Sequence, residues 1–330
     1  MKISVIIPTC NRPDFLKRAL VSLTSQTLSQ LFFEIIVVDN GPTGETADVA
    51  GAFSGVLVNL RYVVEPLPSL HNARHRGIDE AFSDVLAYID DDSEVGPEWL
   101  SALAKAFDDP GVALVGGNNY PEFEFDPPGW LLRWWQKPVN NGRALGYLSI
   151  LDFGEGTFEI DPAYIWGCNF AVRKDVLVAV GGFHPDAFPR ELVRFRGDGE
   201  THVSDTIRSS GFRTVFDSRA SVRHFVPKER MTKTYFAQRA FDQGISDSYS
   251  DIRAGRCCGV PLRRRIDWLH SLLRSYAHIL MVAGDPVERK LLMVQHATIT
   301  AHFRGYRFHQ REVLADPLLL AWVLKKDYLE

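Results

Sequence analysis

The sequence has no apolar run long enough to cross a membrane as a helix. Such a helix needs about 18 consecutive apolar residues, and the run LLLAWVL at residues 318–324 is far shorter. The N-terminal MKISVIIPT leads directly into the polar TCNRPD, which is unlike the layout of a signal peptide. We therefore expect a cytoplasmic protein whose membrane contact, if it has any, is peripheral and at the inner face.

Cysteine is scarce, and its spacing argues against the usual cysteine-based sites. The four cysteines are Cys10, Cys168, Cys257 and Cys258, and no two of them have CxxC spacing. The pattern therefore indicates neither a zinc site nor a disulfide framework. Cys257 and Cys258 are adjacent, which is a poor arrangement for closing one ordinary disulfide. We expect four reduced thiols.

An excess of positive charge is also missing. The 330 residues carry a formal net charge of −4, with 45% apolar and 24% charged residues, a composition that is ordinary for a globular protein. This charge gives no reason to expect nucleic acid as a partner. The length is sufficient for a large core and allows one large domain or two.

Short apolar runs alternate with helical patterns in the first third of the chain. The strand-like runs are rich in β-branched residues, whereas the helical segments carry apolar residues on one face. This alternation predicts right-handed crossovers and a mostly parallel sheet. The predicted strands are residues 3–8, 33–39, 57–64, 85–90 and 112–116, and the predicted helices are residues 13–26, 44–53, 70–82 and 96–107.

Polar segments follow three of these strands: PTCNR after the first, DNGP after the second and DDDSE after the fourth. Ligands of open α/β sheets bind beyond the carboxyl ends of the strands, so we expect these segments to face one crevice. Asp90, Asp91 and Asp92 repel one another, and burying them unpaired would be very unfavourable. They therefore either lie in water, with Asp92 or Ser93 capping the next helix, or surround a cation.

With these pieces in order, the chain resembles family 2 glycosyltransferases, the large inverting class with the GT-A fold. SVIIPTCNRPDFLKRALVSL is similar to the family's opening strand and helix, EIIVVDNG to its second strand, LHNARHRGI to its A-R-N-x-G helix and AYIDDDSEVGPEWL to its D-x-D strand end. GCNFAVRKDVLVAVGGF and GDGETHVSDTIRSSGFRTVFDSRASVRH resemble the acceptor-side half. The resemblance implies a Rossmann-like, mostly parallel mixed sheet flanked by helices. It implies a catalytic domain at residues 1–226, with a nucleotide-binding half at 1–118 and an acceptor half at 119–226, before a helical region at 227–330.

The resemblance also implies a nucleotide-sugar donor, a UDP- or dTDP-sugar, whose diphosphate is neutralised by Mn²⁺ or Mg²⁺. Asp92 and His224 are the implied metal ligands, although a histidine at a strand end is as often structural. Asp39 is implied to accept from the N3–H of the pyrimidine, while an Asx turn in DNGP is the alternative. The residues implied to bind the donor are Pro8, Thr9, Asn11, Arg12, Asp39, Arg74, Asp90 and Asp91.

An inverting transferase needs one base to deprotonate the acceptor hydroxyl. The resemblance places this base at Glu200, with Asp198 as the rival. Asp198 also suits a helix N-cap, and Glu200 in a first turn also suits the helix dipole. Two departures affect this half of the site: His75 stands where the family often has Asn, and Gly199-Glu200 replaces the usual Glu-Asp pair.

The acceptor is implied to be a saccharide, a lipid-linked compound or another hydroxyl compound. The segment GWLLRWW, residues 129–135, either lines the acceptor pocket, enters a membrane surface or packs under its loop. The segment RRRIDWLHSLLRSYAHIL, residues 263–280, is amphipathic and basic. It suits either contact with anionic lipid or a solvated helix packed on the catalytic domain.

Two other classes of function remain as alternatives. A metal-dependent nucleotidyltransferase would share the Rossmann-like sheet and the paired carboxylates, but it usually has a Gly-rich loop after the first strand, and PTCNRPD contains no glycine. A non-catalytic carbohydrate- or nucleotide-binding relic would be expected to lose its acidic residues. Asp39, the aspartate cluster and Glu200 are all present, which argues against that class.

Overall fold

The computed structural model describes residues 2–41, 44–256, 259–282 and 284–329. The strands are β1 Ile3–Thr9, β2 Phe33–Asp39, β3 Leu60–Val64, β4 Val85–Ile89, β5 Ser93–Val95, β6 Val112–Gly116, β7 Asn119–Phe123, β8 Pro138–Val139, β9 Gly142–Leu145, β10 Ile150–Asp152, β11 Thr157–Glu159, β12 Asn169–Arg173, β13 Arg213–Asp217 and β14 Val222–Val226. The helices are α1 Pro13–Leu23, α2 Glu45–Phe53, α3 Leu70–Glu80, α4 Trp99–Ala106, α5 Gly129–Trp135, α6 Lys174–Ala179, α7 Thr201–Ser209, α8 Lys233–Arg253, α9 Leu262–Met281, α10 Pro286–Ala315 and α11 Pro317–Val323.

The main sheet has eight strands in the order β11-β13-β6-β12-β4-β1-β2-β3. Strand β1 pairs in parallel with both β2 and β4, and β2 pairs in parallel with β3. Strand β12 runs antiparallel between β4 and β6, and β13 is parallel to β6. The predicted fold, a mostly parallel mixed sheet with helices packed on it, is therefore confirmed.

Helix α1 shows how apolar spacing builds these layers. Proline at its first position has no N–H to leave unsatisfied there. The buried residues Leu16, Ala19, Leu20 and Leu23 then recur at helical spacing. Leu16, Leu20 and Leu23 belong to one buried cluster with residues of strand β1. Every residue of β1 is buried, as is typical of a parallel strand covered on both faces.

A second sheet of six strands has the order β5-β14-β7-β10-β9-β8. Strand β14 pairs antiparallel with β5, and this register places His224 opposite Ser93. Because β5 begins directly after Asp92, the pairing brings β14 against the polar end of β4. The two sheets therefore meet at the aspartate cluster.

The C-terminal region is helical, as the sequence predicts. No helix among the described residues combines the length and the apolar character needed to cross a membrane. Cys10 and Cys168 are free thiols, whereas Cys257 and Cys258 lie outside the described residues. Helix α5, which is formed by GWLLRWW, buries Trp130 and Trp135.

Helices α8 and α10 cross at two facing glycines. A Cβ on Gly244 of α8 would lie 2.0 Å from the carbonyl oxygen of His302, and a Cβ on Gly305 of α10 would lie 1.9 Å from that of Phe241. Only glycine lets two backbones approach this closely. Helix α10 therefore fixes the position of α8 by direct backbone contact.

We predict that Gly305→Ala destabilises the protein, because its methyl group would overlap the backbone of α8. Overpacking of this kind typically costs about 1–3 kcal/mol, which exceeds the gain of about 1 kcal/mol in helix propensity. The matched control is Gly51→Ala in α2, where a Cβ would meet nothing within 4 Å. Denaturant unfolding followed by circular dichroism should show a loss for Gly305→Ala and no loss for Gly51→Ala.

Candidate active site

The carboxyl ends of three neighbouring strands form one polar edge of the main sheet. The parallel register places Thr9 of β1 opposite Asp39 of β2, and β4 on the other side of β1 ends directly before Asp90. Residue Asn11 in the turn after β1 has a φ of 55°, a left-handed conformation that asparagine tolerates better than most residues. This turn directs the chain into α1 and presents Arg12 towards the aspartates.

Asp91 is buried and is held by two donors. The Thr9 hydroxyl donates to its Oδ2 atom at 2.8 Å, and the Arg12 guanidinium donates to its Oδ1 atom at 2.6 Å. Burial raises the pKa of this carboxyl to about 7, against the lowering by Arg12. Both oxygens of Asp91 are thus engaged within the protein, and the residue positions Arg12 at the strand ends.

Asp92 is buried beside two arginines and one histidine. Arg12 lies 2.8 Å and Arg230 lies 3.3 Å from its Oδ2 atom, while His224 Nε2 lies 3.4 Å from its Oδ1 atom. Burial opposes ionisation of Asp92, but the contacts with His224, Arg230 and Arg12 outweigh it and lower the pKa. The aspartate cluster is therefore not a solvated turn, because arginines neutralise part of its charge.

Asp90, Asp92 and His224 together could hold a metal ion. One ligand atom from each of the three lies within 4.8 Å of the others. Among the described residues, Asp92 Oδ1 and His224 Nδ1 are buried and have no hydrogen-bond partner. Buried polar atoms usually have partners, so these two indicate a missing ligand. Carboxylate and imidazole donors suit a divalent cation such as Mn²⁺.

Glu200 stands at the start of α7 with its carboxylate held by two donors. The backbone N–H of Gly167 donates to Oε1 at 3.0 Å, and Arg74 lies 3.4 Å from Oε2. A Cβ on Gly167 would lie 2.1 Å from the Arg74 guanidinium, so only glycine leaves room for this arginine. The side chain makes no capping hydrogen bond to α7, and the capping alternative is not what the structure shows.

Asp198 is occupied away from the cavities that surround Glu200. Its carboxylate contacts His184 Nδ1 at 2.6 Å and accepts from the Ser250 hydroxyl at 2.5 Å. The side chain is 8% exposed. These contacts tie the loop before α7 to α8, which is a positioning role rather than the N-cap that the sequence suggests.

Asp39 is fully buried, with both oxygens engaged. The backbone N–H of Gly41 donates to Oδ1 at 3.0 Å, which closes the Asx turn, and the Tyr62 hydroxyl donates to Oδ2 at 2.7 Å. Burial and this hydrogen bond raise the pKa of Tyr62 to about 12. The neighbouring Asn40, rather than Asp39, lines the adjacent cavity.

Three cavities adjoin one another across this region. The strand-end cavity, of about 470 Å³, is lined by Pro8, Thr9, Arg12, Asn40 and the three aspartates, among others. The central cavity, of about 180 Å³, shares Leu70, Asp90, Ala187 and Arg230 with it and also contains Arg74, Glu200 and His224. The aromatic cavity, of about 460 Å³, shares Ser149, Glu200 and Arg239 with the central cavity and is walled by Trp134, Tyr147 and Trp166.

Several residues of these cavities are not predicted from the sequence. Arg230 lies in a short turn after β14 and shows no periodic pattern, so no signal singles it out. Arg239 of α8 approaches the site only because of how that helix packs. Gly167 did carry a signal, because it begins the segment GCNFAVRKDVLVAVGGF that resembles the acceptor-side half, and Trp166 directly precedes it.

His75 and helix α5 have roles that the sequence left open. The His75 ring accepts from the backbone N–H of Phe183 at 2.9 Å and therefore supports the GGF turn. Trp130 and Trp135 are each 6% exposed in the core, whereas Trp134 reaches the aromatic cavity. Helix α5 thus combines packing under its loop with lining a cavity.

Comparisons with known proteins find one family of enzymes. A family model described as "Glycosyl transferase family 2" matches residues 4–180. Glycosyltransferase AglE of Haloferax volcanii is 28% identical over 215 residues, which cover 65% of this chain and 64% of that protein. A glucosyl-dolichyl phosphate glucuronosyltransferase of the same organism is 25% identical over 258 residues, covering 76% of this chain and 78% of that protein. The chain thus spans less than two thirds of AglE.

Solved structures show the same fold. The mannosyltransferase PcManGT from Pyrobaculum calidifontis, in complex with GDP-Man and Mn²⁺, has a TM-score of 0.53 at 16% identity, covering 98% of this chain and 85% of that chain. S. aureus TarS 1–349, in complex with UDP-GlcNAc, has a TM-score of 0.50 at 16% identity, covering 96% of this chain and 92% of that chain.

We predict that His75 makes stability depend on pH below neutrality. Burial lowers its pKa to about 4, whereas an unfolded histidine titrates near 6.5. The unfolded state therefore binds the proton first, and stability is lost as pH falls from about 6.5 to about 4, by roughly 3 kcal/mol in total. The pH dependence of the free energy of unfolding in urea gives the number of protons taken up when the chain unfolds. His75→Gln should reduce this number by about one. An unchanged dependence of the free energy of unfolding on pH would contradict the prediction. Above pH 7 the titration of His75 no longer contributes, so a measurement there gives the stability that is lost with the Phe183 contact alone.

Proposed function

The chain belongs to glycosyl transferase family 2, and we propose that it is an inverting enzyme that transfers a sugar from a UDP- or dTDP-sugar to a hydroxyl acceptor. One observation carries the proposal. The central cavity is lined by Glu200, Asp90 and His224, and Asp92, the third member of the candidate metal cluster, lines the adjoining strand-end cavity. The aromatic cavity adjoins the central cavity at Glu200. The proposed base and the proposed metal ligands thus lie between two cavities that are large enough for substrates.

The strand-end cavity suits the nucleotide diphosphate of the donor. Arg12 and Arg230 line it beside the aspartates, and guanidinium groups bind phosphate oxygens bidentately. Arg74 lies at the junction with the central cavity, where a departing phosphate would develop charge. To accept a hydrogen bond from the N3–H of a pyrimidine, Asp39 would have to give up its hydrogen bond with the Tyr62 hydroxyl. Binding of the base by Asp39 therefore requires a local rearrangement.

A divalent cation, Mn²⁺ or Mg²⁺, would be held by Asp92 and His224, with Asp90 beside them. When bound, it would offset the negative charge of the departing diphosphate. The donor set fits this ion because it combines carboxylate oxygens with the imidazole of His224, whose Nδ1 atom has no hydrogen-bond partner among the described residues.

Glu200 would act as the general base of a single displacement. It would take the proton of the acceptor hydroxyl while that oxygen bonds to the anomeric carbon, and the bond to the nucleotide diphosphate would break with its electron pair on the leaving oxygen. Gly167 N–H and Arg74 hold the carboxylate in one orientation. Attack from the face opposite the leaving group inverts the anomeric configuration.

The aromatic cavity suits a saccharide acceptor. Trp134, Tyr147 and Trp166 line it together with Glu200, and aromatic faces provide apolar surface with a polar edge for sugar rings. Gln243 and Arg239 of α8 supply donors on the same cavity. The similarity to a relative named for a dolichyl phosphate substrate supports a lipid-linked saccharide within this class.

The alternatives predict different products. A nucleotidyltransferase would exchange nucleotide with pyrophosphate, and a non-catalytic relic would give no product. Incubation with a labelled nucleotide sugar distinguishes them from a glycosyltransferase, which gives transfer to an acceptor or slow hydrolysis of the donor.

We predict that UDP binding depends on the metal and on Asp92. EDTA should weaken binding, and Asp92→Asn should weaken it by at least about tenfold in the presence of Mn²⁺. The matched control is Glu94→Gln, because Glu94 is an acidic neighbour whose carboxylate pairs with Arg18 and Arg223 instead. Calorimetry that shows equal UDP affinity for Asp92→Asn and the wild type with Mn²⁺ would refute the metal role.

We also predict that Glu200→Gln loses turnover while donor affinity stays nearly unchanged. General-base catalysis contributes about 10²- to 10⁴-fold, so the rate should fall by at least two orders of magnitude. Asp198→Asn is the comparison: it should retain most turnover and lower stability by about 1–3 kcal/mol through its contacts with His184 and Ser250. An inactive Asp198 variant beside an active Glu200 variant would exchange the roles, and NMR showing a retained anomeric configuration would overturn the inverting mechanism.

A further inference from the structure

Helix α9 exposes a continuous apolar stripe. Its members follow one another at intervals of four and three residues, which keeps them on one face of a helix. They are 49% to 72% exposed, and none of the residues of α9 is buried. The stripe consists of Leu262, Ile266, Leu269, Leu273, Tyr276 and Leu280.

The opposite face of α9 is the one that holds the helix to the protein. Trp268 stacks on Phe303 of α10 with ring centroids 4.3 Å apart, and Arg264 pairs with Asp251 of α8. The residues of the apolar stripe therefore take no part in packing α9 against α8 and α10. Six large apolar side chains along one exposed face form a contiguous patch, and such patches mark interaction sites.

Basic side chains stand on both sides of the stripe. At about 100° per residue, Arg265 falls on one flank, and Arg263 and Arg274 fall on the other. All three are exposed. Asp267 is the only acidic residue of α9, and it pairs with Arg263 at 4.0 Å on the same flank, which leaves the two flanks with a net positive charge. An apolar stripe with basic flanks is the pattern of a helix that lies in the interface of an anionic membrane.

A second copy of the chain fits this surface less well. In a helix pair formed through the stripe, the flanking positions would face each other across the interface. Those positions carry Arg263, Arg265 and Arg274 against the single acid Asp267, so two surfaces of net positive charge would meet. The same basic flanks are attracted to phosphate headgroups, and each contributes on the order of fivefold to binding at an anionic surface.

We propose that α9 docks the protein on an anionic membrane surface, with the apolar stripe in the lipid interface and Arg263, Arg265 and Arg274 at the headgroups. The protein-facing side of α9 borders a cavity of about 1020 Å³ that includes Trp268 and Tyr147. Tyr147 also lines the aromatic cavity. The docked helix therefore lies beside the route to Glu200, although the docking itself does not rest on the proposed reaction.

The test is sedimentation of the full chain with vesicles. Binding is expected to equimolar phosphatidylcholine and phosphatidylserine but not to phosphatidylcholine alone, and it should weaken with salt. The stripe variant Leu269→Ser/Leu273→Ser should lose at least about a hundredfold in binding. The charge variant Arg263→Gln/Arg265→Gln/Arg274→Gln should lose on the order of a hundredfold.

Matched controls change the same chemistry elsewhere on the surface. Leu31→Ser/Phe82→Ser removes two side chains that are 77% and 75% exposed, and Lys17→Gln/Lys105→Gln/Lys233→Gln removes three exposed charges. Both controls should bind like the wild type, and circular dichroism verifies that every variant is folded. The proposal is overturned by absence of vesicle binding, by equal binding to neutral vesicles or by stripe variants that bind normally. It is also overturned if light scattering finds a dimer that only the stripe variant dissociates.

Discussion

A guanidinium buried between two carboxylates joins the halves of this site. Arg74, on α3 of the first half, is 2% exposed and lies 3.4 Å from Glu200 and 3.9 Å from Asp90. Burying an arginine is unfavourable unless its charge is compensated, so its position requires both acids. The ring of Phe183 lies 5.0 Å from the guanidinium. The distance between Asp90 and Glu200 is thus set by one buried cation that lies against both carboxylates.

The aspartate cluster follows the same principle. Three consecutive carboxylates after β4 are tolerated because Arg12 and Arg230 are drawn in from two different segments. Arg12 comes from the turn after β1, which the parallel pairing of β1 with β4 makes adjacent. Arg230 comes from the chain beyond β14, which the second sheet brings to the same place. The ion pairs of the cluster therefore connect the main sheet to the second sheet.

Much of the fold could be predicted from the sequence because it depends on local spacing. The alternation of β-branched runs with helical stripes predicted β1 to β4 and β6 in their order but not the short strand β5, and the polar strand ends indicated where to look for a site. The environment of each side chain could not be predicted. The Asx turn of Asp39 was one of two readings, but its partner Tyr62 lies on a different strand. Asp198 carried the residue type of a helix cap, yet its partners come from a turn and from α8. Such long-range contacts leave no periodic trace in the chain.

The glycine crossing of α8 and α10 affects the aromatic cavity and the strand-end cavity differently. Helix α8 contributes Arg239 and Gln243 to the aromatic cavity, whereas the strand-end cavity is built from segments of the first half and the turns that cover it. A substitution that shifts the crossing angle would reshape the aromatic cavity without replacing any residue that lines the strand-end cavity. The shape of the aromatic cavity can therefore change through helix packing alone, while every residue that lines the strand-end cavity stays the same.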